Sequence, residues 1–374
     1  MPDAPRTNPE SDALIDAITD LLSPLLNAME ALGYVGRRLH PPHLAELAVS
    51  VAEVDQPLRQ GLEGFRAIAW PEHLTEFAKN MELAANAVCL GFDGLREAAQ
   101  AFDGTSRAYR AIRQNAKAYA ALYPAATMLP PLNRFFLDDA GRGDEALVEK
   151  LANADSGREN VGILHAGNDT SKGMGTRGGF SIYVPEYYDE ADAYPLIMAL
   201  HGGSGHGRDF LWTWLRQARS RGAILVTPTS REGTWSLMTP EADTAQIEGL
   251  VKFAQEQWHI DASRLLLTGM SDGGTFTYIS GLGESSPFTH LAPISASFHP
   301  LLLEMMDPAR IKGLPVYLTH GALDWMFPVQ LARDAQATLT AAGADLLYRE
   351  IADLSHAYPS DENARILDWF LNAD

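Results

Sequence analysis

The chain is poor in cysteine and has no strongly basic region, and both absences exclude classes of protein. Cys89 is the single cysteine among 374 residues, so no internal disulfide can form. Its apolar neighbours, MELAANAVCLGF, predict a buried thiol that packs as a small hydrophobic side chain. Acidic residues outnumber basic ones by 48 to 29, which gives a net charge of −19. A nucleic-acid partner, which needs clustered Lys and Arg, is therefore not expected.

Long apolar runs are also missing. No stretch approaches the roughly 18 continuous apolar residues that a membrane-spanning helix needs. Residues 1–22 carry acids where a secretion signal carries positive charge, and their apolar residues follow helical spacing. With 46% hydrophobic and 21% charged residues, the composition is that of a globular protein. We therefore expect a cytoplasmic protein without a membrane span.

The first part of the chain is typical of helices. From Ser11 to Lys150, apolar residues recur at three- and four-residue spacing, while alternating β-branched runs are nearly absent. Proline pairs interrupt the pattern at 41–42 and 130–131. The length also favours two domains. We predict an all-α N-terminal domain over residues 1–155.

After Lys150, short apolar runs such as PLIMALHG, AILVTPT and RLLLTGM alternate with helical patterns of about 10 to 20 residues. This alternation predicts an α/β domain over residues 156–374, with a mostly parallel sheet covered by helices on both faces. The glycine-rich segment 168–179, NDTSKGMGTRGG, does not match a phosphate-binding loop and is predicted to be a turn-rich junction.

The sharpest motif is Gly269-Met270-Ser271-Asp272-Gly273, which follows the apolar strand RLLLT and precedes a helical segment. G-x-S-x-G between a strand and a helix is typical of a nucleophile elbow, where the serine hydroxyl stands above the sheet on a strained turn. The helix N-terminus presents N–H groups where negative charge develops in acyl transfer. Ser271 is therefore the predicted nucleophile.

A second glycine-rich loop, HGGSGHG from 201 to 207, follows the strand PLIMAL. Glycines let backbone N–H groups approach a substrate oxygen without an intervening Cβ. We assign the oxyanion hole to the backbone N–H of Asp272 and to one N–H from Gly202, Gly203 or Ser204. The two histidines of this loop are expected to shape it, and no ligand spacing indicates a metal.

The acid and the base follow in chain order. Asp324 comes directly after the strand VYLTHG, at the strand end where α/β sheets carry their sites. His356 lies in the loop before the last helix, and Ser, Asp, His is the order of the α/β-hydrolase arrangement. Asp353 remains an alternative acid. The alternative bases are His290, His299 and His320.

At these residues the sequence resembles the α/β-hydrolase superfamily, in particular the branch of polyhydroxybutyrate-depolymerase-like proteins, feruloyl esterases and the phospholipase/carboxylesterase group. The phrases that carry it are IDASRLLLTGMSDGG, MALHGGSGHG, HGALDWMFPV and SHAYP, and the likeness covers roughly 181–374. It implies a serine carboxylesterase that acts on small-molecule esters without a cofactor. Polymer-degrading members are usually secreted and often disulfide-bonded, which this sequence does not suggest.

Substrate contacts are predicted from aromatic and methionine residues near the motifs. Trp235, Trp325 and Met270 are the candidate pocket residues and suit a small apolar or aromatic ester. A thioesterase or exopeptidase on the same triad, and a non-catalytic binding protein, are alternatives.

The likeness does not extend to the helical domain, which is expected to be a cap, a dimerisation surface that would make a homo-oligomer, or an accessory domain. A cap is favoured by the short segment 299–313, which leaves little room for a lid within the hydrolase domain.

Overall fold

The computed structural model describes residues 9–155, 157–167, 177–304 and 308–372. It divides into two compact units, Met1–Ala126 and Thr127–Asp374. The sequence placed a boundary at 155 because helical texture ends there, whereas packing assigns residues 127–155 to the second unit. Most of the predicted glycine-rich junction, residues 168–176, lies outside the described residues.

The first unit is helical in its described part. Its α-helices are α1 (Pro9–Arg38), α2 (Leu44–Ser50), α3 (Gln56–Arg66), α4 (Thr75–Ala98), α5 (Gly104–Ile112) and α6 (Gln114–Leu122). Along α1, Leu21, Leu25 and Leu32 are fully buried, as the three- and four-residue spacing predicts for one helix face. Cys89 is buried in α4, and burial raises the pKa of its thiol. Both features are typical of a cysteine that packs as a small hydrophobic side chain.

One carboxylate of this unit, Asp55, is fully buried among helices. It accepts a hydrogen bond from Arg59 Nε at 2.8 Å and pairs with Arg96. Both arginines also contact Asp93, at 2.7 and 3.1 Å. Because α3 supplies Arg59 and α4 supplies Arg96 and Asp93, this ion-pair network links the two helices.

The second unit contains a sheet with the order β1-β2-β4-β3-β5-β6-β7-β8 in its described residues. The strands are β1 (Gly162–Ala166), β2 (Phe180–Val184), β3 (Tyr194–Leu200), β4 (Ile224–Pro228), β5 (Ile260–Met270), β6 (His290–Ile294), β7 (Pro315–Gly321) and β8 (Asp345–Ile351). β2 pairs antiparallel with both of its neighbours, β1 and β4, and the other neighbouring strands pair parallel. The predicted α/β class is confirmed.

Helices surround this sheet. They are α7 (Pro130–Phe135), α8 (Asp139–Gly143), α9 (Glu145–Ala152), α10 (Gly207–Arg221), α11 (Glu241–Gln257), α12 (Asp272–Gly281), α13 (Leu301–Glu304), α14 (Pro308–Ile311), α15 (Gln330–Ala341) and α16 (Asn363–Leu371). All seven residues of β3 are buried, as expected for a parallel strand covered on both faces. No helix in the described ranges combines the length and apolarity needed to cross a membrane.

Helix α7 is tied to α10 by a buried arginine, which explains why α7 belongs to the second unit. Arg219 is fully buried and donates hydrogen bonds to the backbone carbonyl of Asn133 at 2.9 Å and to its Oδ1 at 2.8 Å. Its Nε contacts Glu186 Oε1 at 2.8 Å. A buried guanidinium needs all these partners, so α7 cannot leave the sheet without a large cost in free energy.

Candidate active site

Ser271 occupies the turn between β5 and α12 and has an unusual backbone conformation. Its φ of +56° and ψ of −121° lie outside the regions that L-residues readily adopt. Its backbone N–H donates to the carbonyl of Ile294 at the end of β6, 3.0 Å away, which anchors the turn to the neighbouring strand. Strain of this kind persists where the surroundings impose it, typically at functional sites.

The two glycines of the motif have a steric reason. A Cβ on Gly269 would lie 2.5 Å from the Gly273 carbonyl, and one on Gly273 would lie 2.4 Å from the Leu200 carbonyl oxygen. Strand β5, the start of α12 and the end of β3 therefore meet too closely for any side chain. This explains the G-x-S-x-G spacing that singled out Ser271.

Three predicted residues form one hydrogen-bonded chain. His356 Nε2 lies 3.1 Å from Ser271 Oγ, and its Nδ1 lies 2.9 and 3.1 Å from the two carboxylate oxygens of Asp324. All three residues are at most 8% exposed. Gly321 permits this approach, since a Cβ there would lie 2.3 Å from the carbonyl oxygen of Leu354, in the loop that carries His356.

The alternative acid and bases lie elsewhere. Asp353 and His299 are exposed. His290 begins β6, pairs with Leu266 and contacts Thr289, so it lies toward the N-terminal ends of these parallel strands, whereas Ser271 follows the C-terminal end of β5. His320 is buried next to Asp324, on the acid rather than on the nucleophile.

Asp324 is held as a carboxylate. Burial alone would raise its pKa, but the hydrogen bond and charge of His356, together with the backbone N–H of Phe327, outweigh burial and lower it. Its Oδ1 accepts from the N–H groups of Met326 and Phe327, at 2.9 and 2.8 Å. An ionised Asp324 can only accept, so the hydrogen of His356 in this pair lies on Nδ1, and Nε2 is the ring nitrogen that faces the Ser271 hydroxyl.

The loop after β3 lies against the nucleophile. A Cβ on Gly202 would lie 3.4 Å from Ser271 Cβ, and one on Gly203 would lie 2.8 Å from Asp272 Oδ2. The N–H of Ser204, in contrast, donates to the carbonyl of Gly233 at 2.7 Å. Ser204 is therefore engaged elsewhere, and the candidates for the second oxyanion donor narrow to Gly202 and Gly203.

A loop after β4 supports this arrangement, and its role was not predicted. The N–H of Ser230 donates to His201 Nε2 at 3.1 Å, and Trp235 Nε1 donates to the His201 carbonyl at 2.8 Å. Thr234 Oγ1 donates to Asp272 Oδ2 at 2.6 Å. These bonds tie the loop after β4 both to the loop after β3 and to Asp272, the first residue of α12.

Arg177, which lies just before β2, contacts the same loop. Its guanidinium donates to the Gly205 carbonyl at 3.1 Å and to Ser230 Oγ at 2.6 Å. In the sequence, Arg177, Ser230 and Thr234 are ordinary loop residues, and no motif marked them.

The structure separates the three predicted pocket residues. Trp235 is 1% exposed and stacks on Phe276 with ring centroids 5.5 Å apart, so its ring packs in the interior, and its place in a substrate pocket stays a prediction. Trp325 is 47% exposed, with its ring 6.5 Å from that of His356. Met270 is half-buried at the end of β5. Among the described residues, no three His, Cys, Asp or Glu side chains are grouped as metal ligands would be.

Comparisons with known proteins point to one superfamily. Residues 239–373 match the phospholipase/carboxylesterase family. A probable feruloyl esterase C of Aspergillus terreus is 26% identical over 157 residues, which cover 40% of this chain and 56% of that protein. A bifunctional acetylxylan esterase/xylanase of Neocallimastix patriciarum is 26% identical over 208 residues, covering 54% and 29%. The crystal structure of a thermostable esterase superposes with a TM-score of 0.47 at 20% identity, covering 56% and 62%.

The chain thus spans little more than half the length of the first relatives that it matches. The family match contains Ser271, Asp324 and His356, and it begins far beyond the helical unit. Together with the sheet order, it agrees with the α/β-hydrolase fold predicted from the sequence, and residues 239–373 are similar to the phospholipase/carboxylesterase family.

Proposed function

We propose that the protein is a carboxylic-ester hydrolase in which Ser271 is the nucleophile, His356 the general base and Asp324 the orienting acid. The observation that carries this proposal is the continuous hydrogen-bonded chain from Ser271 Oγ through the imidazole to the Asp324 carboxylate. A serine in a strained strand–helix turn, next to a base that is oriented by a third group, is the arrangement of an activated nucleophile.

The reaction has two steps. In the first, His356 Nε2 takes the proton of Ser271 as Oγ bonds to the ester carbonyl carbon, and the tetrahedral intermediate collapses when His356 returns that proton to the leaving alcohol. In the second, His356 deprotonates a water that attacks the acyl-enzyme, and the acid product leaves as Ser271 is reprotonated. Asp324 remains ionised and stabilises the imidazolium in both steps.

The oxyanion of each tetrahedral intermediate is assigned to the backbone N–H groups of Asp272 and Gly203. Asp272 is the first residue of α12, where helical N–H groups lack internal partners and the helix dipole favours negative charge. We choose Gly203 over Gly202 because of its neighbour. A Cβ added to Gly203 would lie beside the Asp272 side chain, whereas one added to Gly202 would lie beside the Cβ of Ser271.

The substrate class is an ester with an apolar or aromatic group. Trp325 and Met326, which are 47% and 45% exposed, follow Asp324 directly, and the ring of Trp325 lies at the edge of His356. Exposed aromatic and methionine side chains beside the reacting atoms favour an apolar ligand surface. Two relatives are named for the acyl groups of their esters: feruloyl, which is aromatic, and acetyl, which is small.

The test is the Ser271→Ala variant, assayed with p-nitrophenyl esters, acyl thioesters and aminoacyl amides. We expect turnover of the esters to be abolished in this variant and to remain in Ser280→Ala, which removes a buried hydroxyl at the far end of the same helix. Near-normal ester turnover in Ser271→Ala would contradict the proposal. Faster cleavage of thioesters or amides than of esters by the wild type would keep the triad and replace the substrate class.

We propose, as alternatives, that the helical unit is a cap, a dimerisation surface or an accessory domain. The segment between β6 and β7, where a lid could be inserted, has only the four-residue helices α13 and α14 in its described part. A truncated chain should begin at Thr127 rather than at 151, because Arg219 needs Asn133. Unchanged substrate preference in the truncated chain would contradict a cap, and an unchanged oligomeric state would contradict the dimerisation role.

A further inference from the structure

A second histidine, His320, contacts the proposed acid from within the sheet. It lies at the end of β7 and is fully buried. Its Nε2 is 2.8 Å from the carbonyl oxygen of Phe327 and 3.6 Å from Asp324 Oδ2. The Asp324 carboxylate is thus placed between two imidazoles, of which only His356 contacts Ser271.

The protonation of His320 follows from its partners. A carbonyl oxygen can only accept, so Nε2 must carry the hydrogen and donate it to Phe327. The other ring nitrogen, Nδ1, is buried and has no hydrogen-bond partner among the described residues. Burial lowers the pKa of His320 despite the favourable carbonyl and carboxylate nearby, so the ring is neutral with a fixed N–H.

Phe327 connects this N–H to the reacting groups. Its backbone N–H donates to Asp324 Oδ1 at 2.8 Å, and its ring meets the His356 ring edge-on with centroids 5.3 Å apart. Anchoring the Phe327 carbonyl therefore fixes both the N–H that donates to Asp324 and the ring that packs against His356. At 3.6 Å the His320 N–H is too far from Oδ2 for a hydrogen bond, but its dipole still favours the ionised carboxylate in this buried place.

We propose that His320 is a positioning residue of the reaction: through Phe327 it holds the turn 324–327 so that both oxygens of Asp324 face His356. This inference rests on the proposed function of Ser271, His356 and Asp324. His320 touches neither the nucleophile nor the base, and it acts only through the acid and its turn.

The test compares His320→Leu with His320→Gln. Leucine fills space but donates no hydrogen bond, whereas the glutamine amide nitrogen reaches the place of Nε2. In His320→Leu we expect kcat for a short p-nitrophenyl ester to fall about a hundredfold with KM within about twofold, as for a misplacement of roughly 1 Å. The rate of labelling by a fluorophosphonate should fall in parallel, and His320→Gln should restore most of both rates.

The matched control is His290→Leu. His290 is also a buried strand histidine with an unpartnered ring nitrogen in the described structure, and burial also lowers its pKa, but it lies at the start of β6, away from Ser271. Its variant should lose stability without a fall in kcat. If His320→Leu does not fold, His320→Asn replaces it, because this shorter amide cannot reach the Phe327 carbonyl.

A spectroscopic measurement makes the inference independent of turnover. The Nδ1–H proton of His356 should give a far-downfield NMR resonance in the wild type and in His320→Gln, and this resonance should be lost or broadened in His320→Leu. An unchanged resonance and kcat in the leucine variant, or a glutamine variant as poor as leucine, would overturn the role of His320. A wild type that cleaves no substrate would refute the proposed function, while the resonance would still decide this inference.

Discussion

Each of the two units buries a carboxylate, and the two are held in different ways. Asp55 in the helical unit is bound by the permanently charged Arg59 and Arg96, which come from α3 and from α4. Asp324 in the α/β unit is bound by the backbone N–H groups of Met326 and Phe327 and by the imidazole of His356. A carboxylate fixed by two arginines can only hold helices together. A carboxylate that is bound by an imidazole can change the proton affinity of that imidazole. Asp55 is therefore a structural carboxylate, whereas Asp324 can take part in the proposed reaction.

Apart from replacement of the nucleophile itself, the largest effect on activity should come from Asp324→Asn. The amide cannot hold the proton of His356 on Nδ1 as the carboxylate does, so Nε2 no longer accepts from Ser271. We expect kcat/KM for ester cleavage to fall by about ten-thousandfold, the size of this change in a Ser-His-Asp enzyme. A loss of less than tenfold, with the variant folded by circular dichroism, would remove Asp324 from the mechanism and place it beside Asp55 as a structural carboxylate.

A smaller effect is expected from Gly203→Ala. The new methyl group would lie 2.8 Å from Asp272 Oδ2 and would displace the loop that supplies the second oxyanion donor. We expect kcat to fall by roughly a hundred- to a thousandfold, as when one donor is lost. The control is Gly233→Ala on the supporting loop, where a Cβ would meet no atom within 4 Å, and its kcat should remain unchanged. Equal effects of the two variants would refute the assignment of Gly203.

The smallest effect on activity should come from Asp55→Ala. Arg59 and Arg96 would lose Asp55 but keep Asp93 as a shared partner, and their side chains are 39% and 40% exposed and can be hydrated. We therefore expect a loss of about 1–2 kcal/mol in the stability of the helical unit, below the roughly 3–5 kcal/mol for breaking a fully buried pair. Hydrogen exchange of α3 and α4 amides measures it.

The kcat of Asp55→Ala should stay at the wild-type value, since this carboxylate belongs to no reacting group. A marked fall in kcat would mean that the two buried carboxylates do not differ in the way proposed, and that the helical unit contributes to the chemistry.

Acid should affect the α/β unit through its buried histidines. Burial lowers the pKa of His290 and His320, so below a pH of about 6.5 the unfolded chain binds protons that the folded chain does not. Stability is therefore lost as the pH falls from about 6.5 toward the lowered values. Thermal unfolding of His290→Gln should depend less steeply on pH in this range than that of the wild type, and an equal slope would contradict this account.

The sequence was sufficient where chemistry imposes a local pattern. Ser271 needs glycines on both sides for steric reasons, and these glycines are visible in the sequence. The burial of Trp235 could not be predicted, because a tryptophan beside a motif looks the same in the sequence whether it faces a ligand or stacks on Phe276. Arg219 explains the displaced boundary: its contact with Asn133 joins residues 86 positions apart, and no local pattern records such a contact. The role of His320 likewise depends on the turn to Phe327, which only the folded chain shows.

The most direct test of the account is the site of covalent modification by a fluorophosphonate probe, identified by mass spectrometry on the intact wild-type protein. We predict a single adduct on Ser271, which disappears in Ser271→Ala together with ester hydrolysis. An adduct on another residue, or no adduct on folded protein that still cleaves esters, would contradict the assignment of Ser271 as the nucleophile.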